Sequence, residues 1–381
     1  MNTRNSIFLL LLLPLLYSCR SEEKNKTASL PEEGVQVPMD HASGFGITDY
    51  GSYRILTIQD PWPDAEKSYR YLLYEKGAVI PQDIAVEEKI QIPVDEIVVT
   101  STTHIPSLES LGVEKSLVGF PGLQYISSQK TRKRIAAGEI QELGENEAIN
   151  TEILLNLRPD VVIGFAVDGS NRTFNTIAKS GIPVVYNSDW TETSPLGKAE
   201  WIKFFGAFFN KLEEANTFFE EVEKAYLEAG ELARNAENTP SVLAGAMWKD
   251  QWYMPSGDSW HGKFFKDANA HYLYEETKGA GSLALSFESV LAKAKDADFW
   301  IGPAQFQSYE ELEAASPHYA QFSAFRNKNI YTYSSQKGET GGVLFYEMAP
   351  NRPDLVLKDL ISIFHPDLLP DYQTTFYKPL E

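Results

Sequence analysis

The longest periodic run of apolar residues in the chain covers residues 194–239. From Trp201 to Ala233, apolar side chains recur every three or four residues and no proline interrupts them. This spacing predicts a helix with one buried face along its whole length. Ser194 followed by Pro195 is a typical helix start. A helix of roughly 40 residues would be about 60 Å long, which exceeds the width of an ordinary domain. The pattern therefore predicts a rigid linker helix between two lobes.

Residues 45–193 contain shorter apolar runs that predict strands and helices. Tyr53–Gln59 and Tyr69–Glu75 flank a turn-forming segment and are predicted to pair as an antiparallel hairpin. Further strands are predicted at 97–100, 117–119, 161–164 and 182–186, with helices at 105–111, 151–157 and 172–179. Strands that alternate with helices are typical of a mainly parallel sheet covered on both faces. This part is the predicted N-terminal α/β lobe with a leading hairpin.

Residues 240–381 repeat this pattern and are predicted to form a C-terminal α/β lobe. A strand at 242–248 is followed by alternating elements at 271–274, 287–294 and 297–302, a strand at 330–333 and a closing helix at 353–364. The predicted fold class is therefore α/β, with two lobes of mainly parallel sheets joined by one long helix. Two such lobes leave a cleft between them, where ligands usually bind.

Residues 1–19 are typical of a targeting segment. Arg4 precedes the apolar run Ile7–Leu16, which is too short to span a bilayer. The run leads to Cys19, the only cysteine of the chain, in a segment that resembles a bacterial lipoprotein lipobox. The resemblance implies that Cys19 is lipidated and anchors the protein in the cell envelope; a secretory signal with an incidental cysteine is the alternative. The polar residues 20–44 are predicted to be a flexible tether.

Composition narrows the class of partner. The chain has 53 acidic and 34 basic residues and a net charge of −19, which makes nucleic acid a poor partner. A single cysteine excludes a disulfide framework, so stability has to come from packing. We expect a monomer on the periplasmic side of the envelope. The acidic residues after Cys19 resemble a surface-export signal of some lipoproteins, which leaves surface exposure open.

Aromatic residues in predicted loops are the candidates for ligand binding, because ligands of parallel sheets bind outside the carboxyl ends of the strands. The N-terminal lobe offers Tyr125, Phe165 and Trp190, together with Arg134 from a basic run. The C-terminal lobe offers Trp248, Trp252 and Trp260 from one aromatic-rich segment. For Arg134, an exposed helix turn is an equal alternative.

Two segments carry a family resemblance. Residues 150–163 (NTEILLNLRPDVVI) resemble a hallmark of the iron-complex and vitamin B12 periplasmic binding proteins, in which a helix with a central glutamate leads through L-x-P-D into a strand. Residues 287–301 resemble the corresponding unit of the second lobe, and the similarity covers about residues 95–365. It implies an extracytoplasmic protein that delivers its ligand to the transmembrane subunits of an ABC importer. It further implies that Glu152 and Glu288, one in each lobe, pair with arginines on those subunits.

The ligand class follows from what the sequence lacks. The histidines are scattered and no His/Cys cluster indicates a site for a bare metal ion or a resident cofactor. Aromatic residues suit a large organic ligand such as an iron siderophore, haem or a corrinoid. An iron chelate is favoured, with cobalamin or haem as alternatives.

Two other classes of protein are alternatives to a binding protein of an importer. A hydrolase is one, because residues 258–261 (DSWH) place an acid, a hydroxyl and an imidazole together, although no G-x-S-x-G elbow or P-loop is present. The other is a surface lipoprotein that captures its ligand without a transporter. The sequence favours a binding protein rather than an enzyme.

Overall fold

The computed structural model describes residues 33–63, 65, 67–81, 83–168 and 171–381. The predicted targeting segment with Cys19, and the first part of the predicted tether, lie outside the described residues. The last part of the tether is bound to the N-terminal lobe. The backbone N–H groups of His41 and Ala42 donate to Glu200 at 2.8 and 2.7 Å, and Gly44 donates to Glu192 at 2.8 Å. The prediction of a flexible tether up to residue 44 is therefore wrong for this stretch.

The N-terminal lobe begins with a five-stranded sheet in which each strand pairs with the next. Its strands are β1 Val35–Gln36, β2 Phe45–Asp49, β3 Tyr53–Ile58, β4 Tyr69–Glu75 and β5 Glu88–Ile92. The pairs are antiparallel except for β4 with β5, which run parallel. Tyr53 lies opposite Tyr74, so the predicted hairpin is confirmed.

A parallel sheet forms the other half of this lobe. The following strands are β6 Ile97–Val99, β7 Leu117–Phe120, β8 Gln141–Glu142, β9 Gly144–Glu145, β10 Ala148–Ile149, β11 Val161–Gly164 and β12 Val184–Tyr186. The helices are α1 Ile105–Ser110, α2 Gln129–Ala136, α3 Thr151–Leu157 and α4 Arg172–Lys179. The sheet has the order β12-β11-β6-β7-β8 and is parallel throughout, while β9 and β10 form a separate hairpin. The strand order reverses between β6 and β11, and such a switch point leaves a crevice for ligands.

The predicted linker helix is divided into three helices, so the prediction of one unbroken helix over residues 194–239 is wrong. They are α5 Pro195–Glu200, α6 Ile202–Phe208 and α7 Leu212–Ala233. Between α6 and α7, Asn210 has a φ of 54° and the N–H of Lys211 donates to the Gly206 carbonyl at 2.8 Å. A left-handed residue of this kind ends a helix. Every residue of α6 is buried, because α6 packs inside the lobe instead of continuing outward as a rod.

The connection between the lobes is α7 alone. Ala215, Phe219 and Val222 from its first half belong to the core of the N-terminal lobe. Tyr226 and Ala229 from its second half belong to the core of the C-terminal lobe. This 22-residue helix is roughly 33 Å long at 1.5 Å per residue. This length is sufficient for one helix to contribute side chains to the cores of both lobes.

The C-terminal lobe contains a second parallel sheet and a small antiparallel one. Its strands are β13 Ser241–Ala244, β14 Ala246–Trp248, β15 Gln251–Pro255, β16 His271–Tyr272, β17 Ser282–Leu285, β18 Phe299–Ile301, β19 Ile330–Thr332 and β20 Lys378–Pro379. The main sheet has the order β16-β13-β18-β19-β20, parallel except for β20, and β14-β15-β17 form the antiparallel sheet. The single strand predicted at 242–248 is split at Gly245, whose φ is 76°.

Six helices complete this lobe. They are α8 Trp260–Asp267, α9 Phe287–Ala294, α10 Tyr309–Ala315, α11 Ser323–Arg326, α12 Leu344–Met348 and α13 Pro353–Phe364. The closing helix α13 has the predicted bounds. The predicted α/β fold with mainly parallel sheets in two lobes is confirmed, and only the length of the joining helix differs.

Candidate ligand site between the lobes

A cavity of about 440 Å³ lies where the two lobes face each other, and we refer to it as the interlobe cavity. From the N-terminal lobe and α5 it is lined by Ser101, Thr102, Thr103, Phe165, Val167, Asp189, Trp190 and Lys198, and from the C-terminal lobe by Trp260, Phe345, Tyr346 and Pro350. The residues of the N-terminal lobe follow β6, β11 and β12. The cavity therefore lies at the switch point of the parallel sheet.

Five aromatic side chains form the apolar part of the interlobe cavity. Phe165 follows β11, and Trp190 lies in a helical turn after β12 with 39% of its surface exposed. Across from them, Trp260 begins α8 and packs at 5.9 Å from Phe345 of α12, next to Tyr346. Both lobes thus contribute flat apolar surface to one space.

The polar part of the cavity is a connected set of side chains. Thr103 Oγ1 lies 2.9 Å from Ser101 Oγ and donates to Asp189 Oδ2 at 3.1 Å. Lys198 Nζ donates to the Asp189 carbonyl at 2.7 Å and lies 5.2 Å from the Trp260 ring centre. Burial lowers the pKa of Lys198, although the charges of Asp189 and Glu192 act in the opposite direction. The polar part thus contains one lysine and one aspartate, and the lysine bonds the backbone carbonyl of that aspartate.

Three of the predicted ligand residues, Phe165, Trp190 and Trp260, line the interlobe cavity together. Trp248 is 67% exposed and lines a different cavity of about 370 Å³ within the C-terminal lobe. Tyr125 is exposed beside the interlobe contact and does not line the interlobe cavity.

The prediction for Trp252 is wrong. Its side chain is 0% exposed and its ring lies 5.2 Å from that of Trp300 in the core of the C-terminal lobe. The indole Nε1 donates to the Ala244 carbonyl at 2.9 Å, so its polar atom is also satisfied inside the lobe. Trp252 occupies an inward position of β15, where residues alternate between buried and exposed, and it contributes packing rather than a ligand surface.

The prediction for Arg134 is wrong as well. Its guanidinium donates to Glu139 Oε2 at 2.9 Å and to the carbonyls of Lys115 and Leu117 at 3.2 and 3.1 Å. It donates to the Glu114 carbonyl too. The donors that an anionic ligand would need are therefore used to hold α2 against the turn before β7, and Arg134 is not among the residues of the interlobe cavity.

The two acids predicted to dock a transporter lie at comparable places in the two lobes. Glu152 is exposed in the first turn of α3, which Asn150 caps. Glu288 is exposed in the first turn of α9, which Ser286 caps. A helix N-terminus favours an acidic side chain. Their pairing with a transporter stays a prediction.

Several residues of the cavity were not predicted from the sequence. Lys198 lies within the predicted linker helix. Because a lysine in a helix is expected on the exposed face, the sequence does not indicate that it lines a cavity. Phe345 and Tyr346 lie on the short helix α12, which has no extended period. Asp189 and Thr103 lie in loops, where a short polar residue gives no signal of its own.

His104 and His261 are the sequence neighbours of cavity-lining residues, and burial lowers the pKa of both. His104 is fully buried and burial lowers its pKa. Burial, with the charge of Lys198 in addition, lowers the pKa of His261 to about 4. Within the described part of the chain, no three His, Cys, Asp or Glu side chains form a metal-binding group.

A set of hydrogen bonds, here named the interlobe clasp, joins the lobes beside the cavity. Glu347 of α12 accepts from the backbone N–H groups of Ser127 and Ser128 at 2.6 and 2.9 Å. Asn351 accepts from Ser107 Oγ at 2.7 Å and donates to the Thr103 carbonyl at 3.0 Å. Because α12 also carries Phe345 and Tyr346, one short element contacts both the cavity and the opposite lobe.

Two α/β lobes, one connecting helix and an aromatic cavity between them define a two-lobe binding protein. A model of the periplasmic binding protein family matches residues 97–337, and the chain belongs to this family. Its members bind solutes and are not enzymes. In the structure, Ser259 of the DSWH segment caps α8, since its Oγ accepts from Gly262 N and donates to the Ser256 carbonyl.

Known proteins resemble the chain in sequence or fold. An uncharacterized lipoprotein of Methanocaldococcus jannaschii is 27% identical over 299 residues, which cover 76% of this chain and 69% of that protein. A periplasmic heme-binding protein from Pseudomonas aeruginosa has a TM-score of 0.57 at 17% identity, covering 76% of this chain and 98% of that one. A protein of an ABC-type Fe3+-hydroxamate transport system from Saccharomonospora viridis has a TM-score of 0.55 at 17% identity, covering 72% and 94%.

Family membership makes this chain an extracytoplasmic solute-binding protein of the class that serves ABC transporters. Within the described residues, no helix combines the length and the hydropathy that crossing a membrane requires.

Proposed function

We propose that this chain is the membrane-anchored substrate-binding protein of an ABC importer, and that it captures a metal chelate such as an iron siderophore. The interlobe cavity is the observation that carries the proposal. Five aromatic side chains from both lobes surround a space of about 440 Å³, and a volume of this size is typical of small-molecule sites. Closing the lobes around a ligand would bury both of its faces.

A chelate suits this cavity better than a bare ion. A bare ion needs several protein ligands that converge on one point, and the described residues contain no such group. A chelate brings its own metal ligands and presents organic surface, which aromatic rings contact favourably. The similar protein from S. viridis is named for Fe3+-hydroxamate transport, which supports this ligand class.

Haem or a corrinoid is the alternative ligand within the same family. Both are flat and largely apolar, and the cavity is lined by aromatic residues from both sides. The similar protein from P. aeruginosa is a heme-binding protein. A binding test with tryptophan fluorescence therefore includes haem and cobalamin.

Glu152 and Glu288 are the proposed contacts with the importer, one on each lobe. Both are exposed and lie in the first turn of a helix, so each presents a negative charge at the rim of its lobe. Charges at a rim steer association and set register more than they add affinity. Arginines on the two transmembrane subunits are the expected partners.

Lipidation of Cys19 is the proposed anchor. The relative from M. jannaschii is named a lipoprotein, which agrees with the lipobox-like segment. The folded part would then be held at the periplasmic face of the envelope, close to the importer.

Tryptophan fluorescence tests the ligand class. Trp190 and Trp260 line the cavity, so emission should change when a ferric siderophore, haem or cobalamin binds. Replacement of Trp190 by alanine should weaken binding about tenfold, because one aromatic contact is lost. Trp248→Ala is the matched control, since Trp248 is exposed outside the interlobe cavity. No response to any of the three ligand types, or an equal loss in both variants, would contradict the proposal.

A further inference from the structure

Charged side chains are few in the interlobe cavity, and they bear on the kind of chelate it accepts. Asp189 and Lys198 are the acidic and the basic residue among those that line it, and their formal charges are opposite. The remaining lining residues are aromatic, aliphatic or hydroxyl-bearing. The lining side chains therefore carry no net charge.

The single lysine is already compensated. Lys198 Nζ donates to the Asp189 carbonyl at 2.7 Å, and the carboxylates of Asp189 and Glu192 are close enough to influence its ionisation. Glu192 lies outside the cavity lining, where its Oε1 accepts hydrogen bonds from the N–H groups of Ser43 and Gly44, each at 2.8 Å, and from Trp201 Nε1 at 3.1 Å. Two acidic side chains thus lie near the one lysine, whose pKa burial lowers.

Two other basic residues nearby, Arg172 and Lys263, do not line the interlobe cavity. Arg172 lines a separate cavity together with the acidic residues Glu147 and Asp168. Lys263, one turn beyond Trp260, donates to Thr193 Oγ1 at 3.2 Å. No arginine is among the residues that line the interlobe cavity in the described part of the chain.

We propose that the interlobe cavity selects a metal chelate with little or no net charge and excludes polyanionic chelates. The proposal rests on the proposed function, since it specifies the ligand of that same cavity. A polyanion loses hydration on entering the cavity, and only matching cations and charge-assisted hydrogen bonds offset this desolvation cost. The net charge of −19 adds repulsion.

A neutral chelate avoids these costs and matches both parts of the cavity. Its apolar surface would contact Trp190 and Trp260, as the cavity walls are aromatic on both sides. Amide or hydroxyl groups at its edge would bond the Ser101–Thr103 hydroxyls and the free donors of Lys198. The polar set offers donors and acceptors in similar number, which suits a neutral polar edge.

Two ferric chelates of similar size and different charge test the proposal on the full-length protein. One is a neutral ferric trihydroxamate of the ferrichrome type, and the other is a ferric tricatecholate of charge −3. Calorimetry at one ionic strength should give an affinity for the neutral chelate at least about 100-fold higher, since unmatched like charges cost several kcal/mol. Equal or tighter binding of the tricatecholate would overturn the proposal and leave the proposed function intact. If neither chelate, nor haem, nor cobalamin binds, the proposed function fails and this inference falls with it.

A charge variant gives a second readout. Asp189→Asn removes a negative charge beside Lys198, so it should improve tricatecholate binding about tenfold relative to the neutral chelate. Glu228→Gln is the matched control, because it removes one charge from the exposed face of α7, outside the interlobe cavity, and should leave the ratio of the two affinities unchanged. An equal response of both variants would contradict a local electrostatic filter. If Asp189→Asn does not fold, Lys198→Gln replaces it and should lower the relative affinity for the tricatecholate.

Discussion

Some tryptophans of this chain line the interlobe cavity and others are buried in a core, and the local secondary structure differs between the two groups. Trp190 and Trp260 lie at the first turns of short helical segments that follow strands, and both line the interlobe cavity. Trp252 lies in β15, whose alternating burial turns it inward. Of the aromatic residues predicted from loops, Phe165, Trp190 and Trp260 line the interlobe cavity, whereas Tyr125 and Trp248 do not. Trp252, within a period-two strand, does not line it either.

Ionisation of Glu347 should make the free energy of unfolding depend measurably on pH. Burial raises its pKa to about 7, with the nearby charge of Glu109 adding to the effect, while the Ser127 and Ser128 N–H groups act against it. The folded state then binds the proton more tightly than the unfolded state does. The stabilising contribution of Glu347 is therefore full below pH 4.5 and is lost as the pH rises to about 7.

Glu347→Gln should remove this pH dependence. Between pH 5 and pH 8 the free energy of unfolding of the unmodified protein should fall by about 2 kcal/mol relative to that of the variant. Urea unfolding of both proteins at several pH values measures it. A constant difference between the two proteins across this range would contradict the assignment.

At the scale of elements, the apolar period predicted helical structure over residues 194–239 but not where the helix breaks. The spacing of three and four continues through the turn at Asn210, so sequence periodicity alone does not separate α6 from α7. The signal that was available is the composition of Ile202–Phe208, which is apolar nearly all round, as expected of a helix buried on every side. In contrast, β6, β7 and β11 lie where short apolar runs predicted strands, whereas β5 (EKIQI) and β8 (QE) contain no such run and were not predicted.

The contact between the C-terminal loop before α12 and the N-terminal lobe depends on two glycines. A Cβ at Gly338 would lie 2.7 Å from the Ser127 Cα, and one at Gly342 would collide with the Tyr125 carbonyl. Thr340 Oγ1 donates to the Gln124 carbonyl at 2.8 Å in the same contact. These glycines let the two backbones approach, which places α12 and its clasp residues.

Gly342→Val should therefore push the lobes apart. We expect about tenfold weaker ligand binding, because closure now costs energy, and a larger radius of gyration by small-angle scattering. Gly281→Ala is the control, since a Cβ there meets nothing within 4 Å. Unchanged affinity and unchanged scattering in Gly342→Val would mean that the contact does not govern closure.

For the molecule as a whole, the two-lobe architecture with a cavity between the lobes followed from the sequence, while the polar lining of the cavity did not. Repeated strand and helix patterns on each side of a long helical segment were enough to predict two lobes. Which side chains meet across the cleft depends on how the lobes are oriented, and no local pattern records that orientation. Lys198 and Asp189 come together through tertiary packing, as do the partners of the interlobe clasp.

Docking to an importer is a property of both lobes at once. Glu152→Arg combined with Glu288→Arg should abolish uptake by cells and leave ligand affinity unchanged, because both acids are exposed and neither lines the interlobe cavity. Glu310→Arg is the control, as it reverses an exposed acid in the first turn of another helix, α10. Normal uptake by the double variant, or weakened ligand binding, would assign these acids a different role.

The most direct measurement of the central claim is the anomalous scattering of iron in a crystal grown with a neutral ferric chelate. We predict one iron position in the interlobe cavity, with the chelate in contact with Trp190 of one lobe and Trp260 of the other. An iron position on a single lobe, such as the cavity beside Trp248, would contradict capture between the lobes.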